Sequence, residues 1–126
     1  MTFSDRTVPL REWSHVAAVF GEAETLLYLN GERVHVGPKS EPVGGTKFVI
    51  GCAGDANRID HFRGWVRAVR ISPGERYTSG FRPPETFPAD DPEAVLIYDG
   101  SHVEGDRAID LSGRGNHEVV QQLGLR

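Results

Sequence analysis

The sequence predicts an all-β, two-sheet antiparallel sandwich, and three observations predict it. Alternating apolar residues recur through the first seventy positions, while no window there sustains a helical period long enough to compete. Asn30-Gly31 sits between two strand-like runs and supplies the positive φ angles that a two-residue hairpin turn requires. Finally, 15 glycines and 8 prolines in 126 residues imply frequent turns and therefore many short strands.

The elements follow in order. "EWSHVAAVF" places Trp13, His15, Ala17 and Val19 on one face and Ser14, Val16, Ala18 and Phe20 on the other, so a strand apolar on both sides is expected in a sheet interior. "TLLYLNGERVHVG" reads as a hairpin in which Leu27 faces Val34 toward the core and Tyr28 faces Arg33 toward solvent or a partner. After the connection "PKSEPVGG", "TKFVIGCAG" turns Phe48, Ile50 and Cys52 to one face, and "GDANRID" forms a polar loop. "HFRGWVRAVRI" changes phase: Phe62, Gly64 and Val66 share one parity, Val69 and Ile71 the other. A one-residue bulge near Arg67 or Ala68 would bring both sets to the core. Residues 73–93 read as an irregular connection, pinned by the prolines of "RPPETFP". "AVLIYDG" supplies another strand, and "HEVVQQL" a last one.

Residues 1–126 have the length of one domain, large enough for a single core. A net charge of −4 argues against general nucleic-acid affinity, which depends on Lys and Arg neutralising phosphates. The lone Cys52 excludes an internal disulfide framework and leaves the redox compartment open. No basic start feeds an apolar stretch after Met1, and no apolar run approaches the roughly 20 residues of a membrane helix. Neither leader nor membrane partner is therefore expected, and the compartment stays unassigned.

Taken in order, "WSHVA", "LLYLNGERV", "FVIG" and "FRGWVRAVRIS" resemble the running order of a laminin G-like module of the concanavalin A-like superfamily. The resemblance covers about Glu12 to Ser72 and implies a jelly-roll sandwich. Near the other end, "DLSGRGNH" resembles a D-x-SG-x-G-N-H-G signature that in that family usually precedes the tryptophan strand, with Glu118 where the pattern has glycine. Two arrangements would give this order: a segment of a tandem array, or a permuted domain whose signature strand completes the same sandwich. The resemblance implies a fuller sandwich than the roughly seven or eight strands readable here. A homodimer, or an open edge covered by "RPPETFP", is expected to make up the difference.

Superfamily glucanases resemble one another in carrying carboxylates alternating along one strand, because glycoside cleavage needs two carboxyls facing each other. Glu104 and Asp106 begin such a pattern, but Ala108 and Ile109 occupy the third position, so the resemblance does not extend to this catalysis. Calcium is the one ion the resemblance brings in, with Asp55, Asn57, Asp60, Asp110 and Asn116 as its oxygen ligands. The competing reading, that these are turn residues, has more weight, and no cofactor is required. His15, His35, His61, His102 and His117 lack zinc-ligand spacing. Trp65 interleaved with Arg63, Arg67 and Arg70 suits a sugar platform or an anionic contact if Phe62 faces the core; otherwise Trp65 packs under loops. Tyr28 and Arg33 form a second candidate contact pair.

The expected function is a non-catalytic recognition module, binding carbohydrate or a protein partner within a larger multidomain protein. The alternative is a structural module that oligomerises through sheet edges. A glycoside hydrolase is the remote third reading.

Overall fold

The computed structural model describes residues 6–40, 50–51 and 61–119. Every regular element among them is a β-strand in an antiparallel pair, in agreement with the predicted class. Most of "TKFVIGCAG" and the last four residues of "HEVVQQL" lie outside the described residues, as do Asp55, Asn57 and Asp60.

Strands β1 (Val16–Phe20), β2 (Glu24–Leu29) and β3 (Glu32–Pro38) form a meander with β2 in the centre. The Asn30-Gly31 turn joins β2 to β3 with φ of 50° and 83°, as a two-residue hairpin demands. Asn30 also fixes the entry to β1. Its side-chain oxygen accepts the His15 amide at 2.8 Å, while its own amide donates to the His15 carbonyl at 2.8 Å. Among the described residues β1 pairs with β2 alone, so the strand expected in the interior lies at an edge, with Val16 and Phe20 exposed.

The hairpin register corrects the sequence reading. Tyr28 does oppose Arg33, but the ladder then slips, Leu27 opposes His35, and Val34 has no partner of its own. That bulge accompanies an inverted assignment of faces. Tyr28 is the buried residue at 1% exposure, clustered with Val19 and Leu26, whereas Leu27 is half-buried. What buries Tyr28 is aromatic surface from far along the chain. The Tyr77 and Phe81 rings stack with centroids 3.6 Å apart, and Phe81 lies 5.3 Å from Tyr28.

The irregular residues between β4 and β5 therefore supply the second layer over this sheet's inner face. Phe81 donates its amide to the Gly31 carbonyl at 2.9 Å, and a Cβ on Gly31 would collide with the Phe81 carbonyl oxygen. Tyr77 and Phe81, which cover the face, precede "RPPETFP"; within that segment Pro83 lies against the Gly31 turn and Phe87 against His15. His15 contributes by setting its ring edge-on to Phe81 and Phe87, at 5.6 and 6.1 Å.

Strands β4 (Ala68–Ile71) and β5 (Leu96–Asp99) form a two-stranded ribbon. Residues 61–67 are irregular, so the long bulged strand expected there is replaced by a short one that starts where the bulge was placed. Arg70 of β4 ties the ribbon to the second layer: it donates to the Tyr77 hydroxyl at 2.8 Å, approaches Asp91 at 3.5 Å and lies 4.6 Å over the Phe87 ring. Asp91 also binds Arg76 at 2.9 Å. Burial pushes the Asp91 carboxyl up, but the Glu93 amide and the two guanidinium groups outweigh it and hold it below the usual carboxylate range.

Strands β6 (Val103–Glu104), β7 (Arg107–Ala108) and β8 (Glu118–Val119) form a small third sheet. Its hairpin turns at Gly105-Asp106, where Gly105 takes a φ of 62°. Glycine at the first central position is the two-residue hairpin signal that the sequence reading missed.

Candidate functional site

Among the described residues, exposed aromatic side chains occur in two distant stretches joined by one contact. Residues 61–67 run irregularly into β4, and there Trp65 is 86% exposed, with Phe62 and Val66 also exposed. Gly64 leaves room for the Phe62 ring, whose nearest carbon would stand 2.8 Å from a Cβ at that position. The sheet anchors the end of the stretch, since the Arg67 carbonyl accepts the Gly100 amide at 2.8 Å.

From that anchored backbone the Arg67 guanidinium reaches over the Trp13 ring, 4.3 Å from its centroid. Such a cation–π contact contributes about 0.5–1 kcal/mol at exposed sites. Here its main effect is geometric, joining the segment around Trp13 to the segment that carries Trp65. Trp13 is itself exposed, as are Val8 and Leu10 just upstream. The two stretches thus expose aromatic and aliphatic side chains, and the Arg67 guanidinium links them.

Arg63, Trp65 and Arg67 are all exposed, but residues 61–67 lack the strand periodicity that would align the three, and Arg67 is engaged with Trp13. Trp13 has no local feature that marks it for this role, because its partner is far along the chain. The pair Tyr28 and Arg33 is not a surface pair: Arg33 is exposed, but Tyr28 is a core residue without access to a ligand.

The second notable constellation is the loop 110–117. Asp110 is only 4% exposed, and both its carboxylate oxygens are occupied. Oδ1 accepts the Ile97 and Ser112 amides, each at 2.9 Å. Oδ2 accepts the Ser112 hydroxyl at 2.8 Å and the Asn116 amide at 3.0 Å. Burial raises the Asp110 carboxyl, yet these donors more than compensate and hold it below its ordinary range.

The rest of the loop is used as fully. Gly113 and Gly115 adopt φ of 81° and 76°, and the Asn116 side-chain Nδ2 donates to the Val95 carbonyl at 2.8 Å. The Tyr98 hydroxyl donates to the Asn116 carbonyl. His117 Nδ1 accepts the Asp110 amide at 2.9 Å, which places any proton of the neutral ring on Nε2. "DLSGRGNH" is therefore a turn strapped to β5 through Ile97 and Tyr98 and to Val95 just before it.

This geometry bears on calcium. A carboxylate offers about four acceptor sites, and protein donors fill those of Asp110. An incoming cation would have to displace hydrogen bonds that hold the loop. Among the described residues no three His, Cys, Asp or Glu side chains converge as metal ligands. Glu104 and Asp106 flank or form the β6–β7 turn, both exposed.

A family model described as the concanavalin A-like lectin/glucanases superfamily, of the laminin G-like type, matches residues 2–78. The chain belongs to this laminin G-like family. The match spans more than half of it and takes in β1 to β4, the Trp13–Arg67 contact and Trp65. Strands β5 to β8 and the strapped loop lie beyond the matched residues of this laminin G-like chain. No curated protein and no solved structure matches it.

Proposed function

We propose that this laminin G-like chain is a non-catalytic recognition module whose contact surface centres on Trp13, Arg67 and Trp65, and that its ligand is a protein partner. The observation that carries this reading is the 86% exposure of Trp65, two residues in sequence from Arg67, whose guanidinium lies over the exposed Trp13 ring. Trp and Arg are the residues most enriched among strongly contributing positions of protein interfaces. Val8, Leu10 and Val66 in the same two stretches are exposed as well, and aliphatic surface suits a protein more than a polyhydroxylated sugar.

Carbohydrate is the second reading, favoured by the nearly free Trp65 ring face, on which a sugar ring can stack. Family membership supports recognition in general, and the chemistry of the surface supports the ligand class. The test is to probe protein and glycan arrays with the chain and with Trp65→Ala and Trp13→Ala. Loss of a protein signal in both variants supports the proposal. Loss of a glycan signal instead supports the second reading, and retained binding in both variants removes the surface from consideration.

A further inference from the structure

Strand β1 directs part of its backbone away from its sheet. The Asn30 amide donates to the His15 carbonyl and the Gly21 amide to the Glu24 carbonyl, so the hydrogen-bonded positions of the β1–β2 ladder fall on the odd-numbered residues of β1. The amides and carbonyls of Val16, Ala18 and Phe20 therefore point the other way, to an edge where β1 has no neighbouring strand among the described residues.

This edge lacks the features that keep edge strands apart. Residues 13–21, "WSHVAAVFG", contain no Lys, Arg, Asp, Glu or Pro, and β1 runs without a bulge against β2. The residues whose backbone faces the edge also share one face of the sheet, and all three are exposed: Val16 at 65%, Phe20 at 68%, and Ala18 between them.

The order of these residues fits a second copy of the same strand. Laid antiparallel about a two-fold axis at Ala18, the strand sets Ala18 opposite its own counterpart and Val16 opposite the counterpart of Phe20. Every outward amide and carbonyl of Val16, Ala18 and Phe20 then finds a partner. The smallest side chain occupies the axis, where identical residues must meet, and aliphatic–aromatic pairs flank it. No like charges face each other within the strand.

We propose that two copies of this chain associate β1 to β1, antiparallel about Ala18, so that their three-stranded sheets become one continuous sheet. A contact made by one short strand buries less than the roughly 1,200 Å² of a standard complex, so the dimer forms reversibly with concentration. It uses neither Trp65 nor the contact of Arg67 with Trp13.

Sedimentation equilibrium of the 126-residue chain reads the association. The mass is expected to rise with concentration from one chain to two and no further, because a two-fold contact closes on itself. Ala18→Lys and Ala18→Glu, at an exposed position, are each expected to keep the melting temperature and stay monomeric, since the axis sets like charges opposite one another. Mixed in equal amounts, the two variants are expected to regain a dimer, which the register centred on residue 18 alone provides. Phe20→Ala, which adds no charge, is expected to weaken the dimer at least tenfold, and Trp65→Ala to dimerise as the wild type does. A wild-type chain that stays monomeric, unaltered association in the Ala18 or Phe20 variants, no dimer in the Lys and Glu mixture, or dissociation in Trp65→Ala would each overturn the proposal.

Discussion

Asp110 Oδ1 accepts the amide of Ile97 at 2.9 Å, joining the loop 110–117 to the most deeply buried residue of β5. The carboxylate is the acceptor for four donors at once, so its removal orphans the Ile97 amide in a site closed to water. Asp110→Ala is expected to lower unfolding stability by about 2–4 kcal/mol, combining a lost charge-assisted bond with an unsatisfied buried donor. Asp110→Asn, which keeps the shape but turns one acceptor into a donor, should fall between wild type and Ala. Urea unfolding monitored by tryptophan fluorescence measures both, and an Ala variant as stable as wild type would refute the role assigned to the carboxylate.

Gly31 is the second position where the backbone leaves no latitude. Its φ is 83°, and a methyl group there would meet the Phe81 carbonyl. Gly31→Ala is expected to destabilise by about 2–4 kcal/mol through strain and displacement of the second layer. Chemical denaturation reads this directly.

Tyr28 tests whether residues 77–87 form the second layer. Its ring is packed against Tyr77 and Phe81, while its hydroxyl is buried with no hydrogen-bond partner among the described residues. Tyr28→Ala should cost about 3–5 kcal/mol, the range for emptying an aromatic site. Tyr28→Phe should keep or slightly raise stability. A chain truncated after Thr78, where the family match ends, should show no cooperative thermal transition, because it lacks Phe81 and β5.

These three predictions rest on features of unequal visibility in the sequence. The Asn30-Gly31 turn was legible because its chemistry is local: two residues with the required φ between two strand-like runs. The face that Tyr28 occupies was not, since both faces of β2 carry apolar residues and the choice is made by Phe81 and Tyr77. A proline-rich stretch without periodicity gives no sign that it will serve as a layer. Trp65 was legible as an exposed candidate, whereas Trp13 acquires its role only from Arg67, a contact that no local pattern encodes. The turn chemistry of "DLSGRGNH" was legible, but its attachment to β5 was not.

Acid should weaken the fold in two stages. Burial, reinforced by the Arg70 guanidinium, holds the His15 imidazole below its ordinary value. The folded chain therefore prefers it neutral, and stability falls as pH drops below about 6.5, where the unfolded chain takes up the proton first. Asp110, Asp91 and Asp99 are all held below the usual carboxylate range. Their contribution is present above about pH 3.9 and is lost as pH falls through their lower folded values. Melting temperatures from pH 8 to 3 should show both stages, with His15→Gln lacking the first. An identical profile in that variant would remove His15 from the account.

The central claim, a recognition surface on Trp13, Arg67 and Trp65, is tested most directly by binding and stability measured on the same Trp65→Ala protein. Because the ring is so exposed, its removal should change stability by less than about 0.5 kcal/mol. An unchanged melting temperature is expected together with at least tenfold weaker binding to whichever array ligand the wild-type chain selects. Unchanged affinity in a correctly folded Trp65→Ala protein would contradict it.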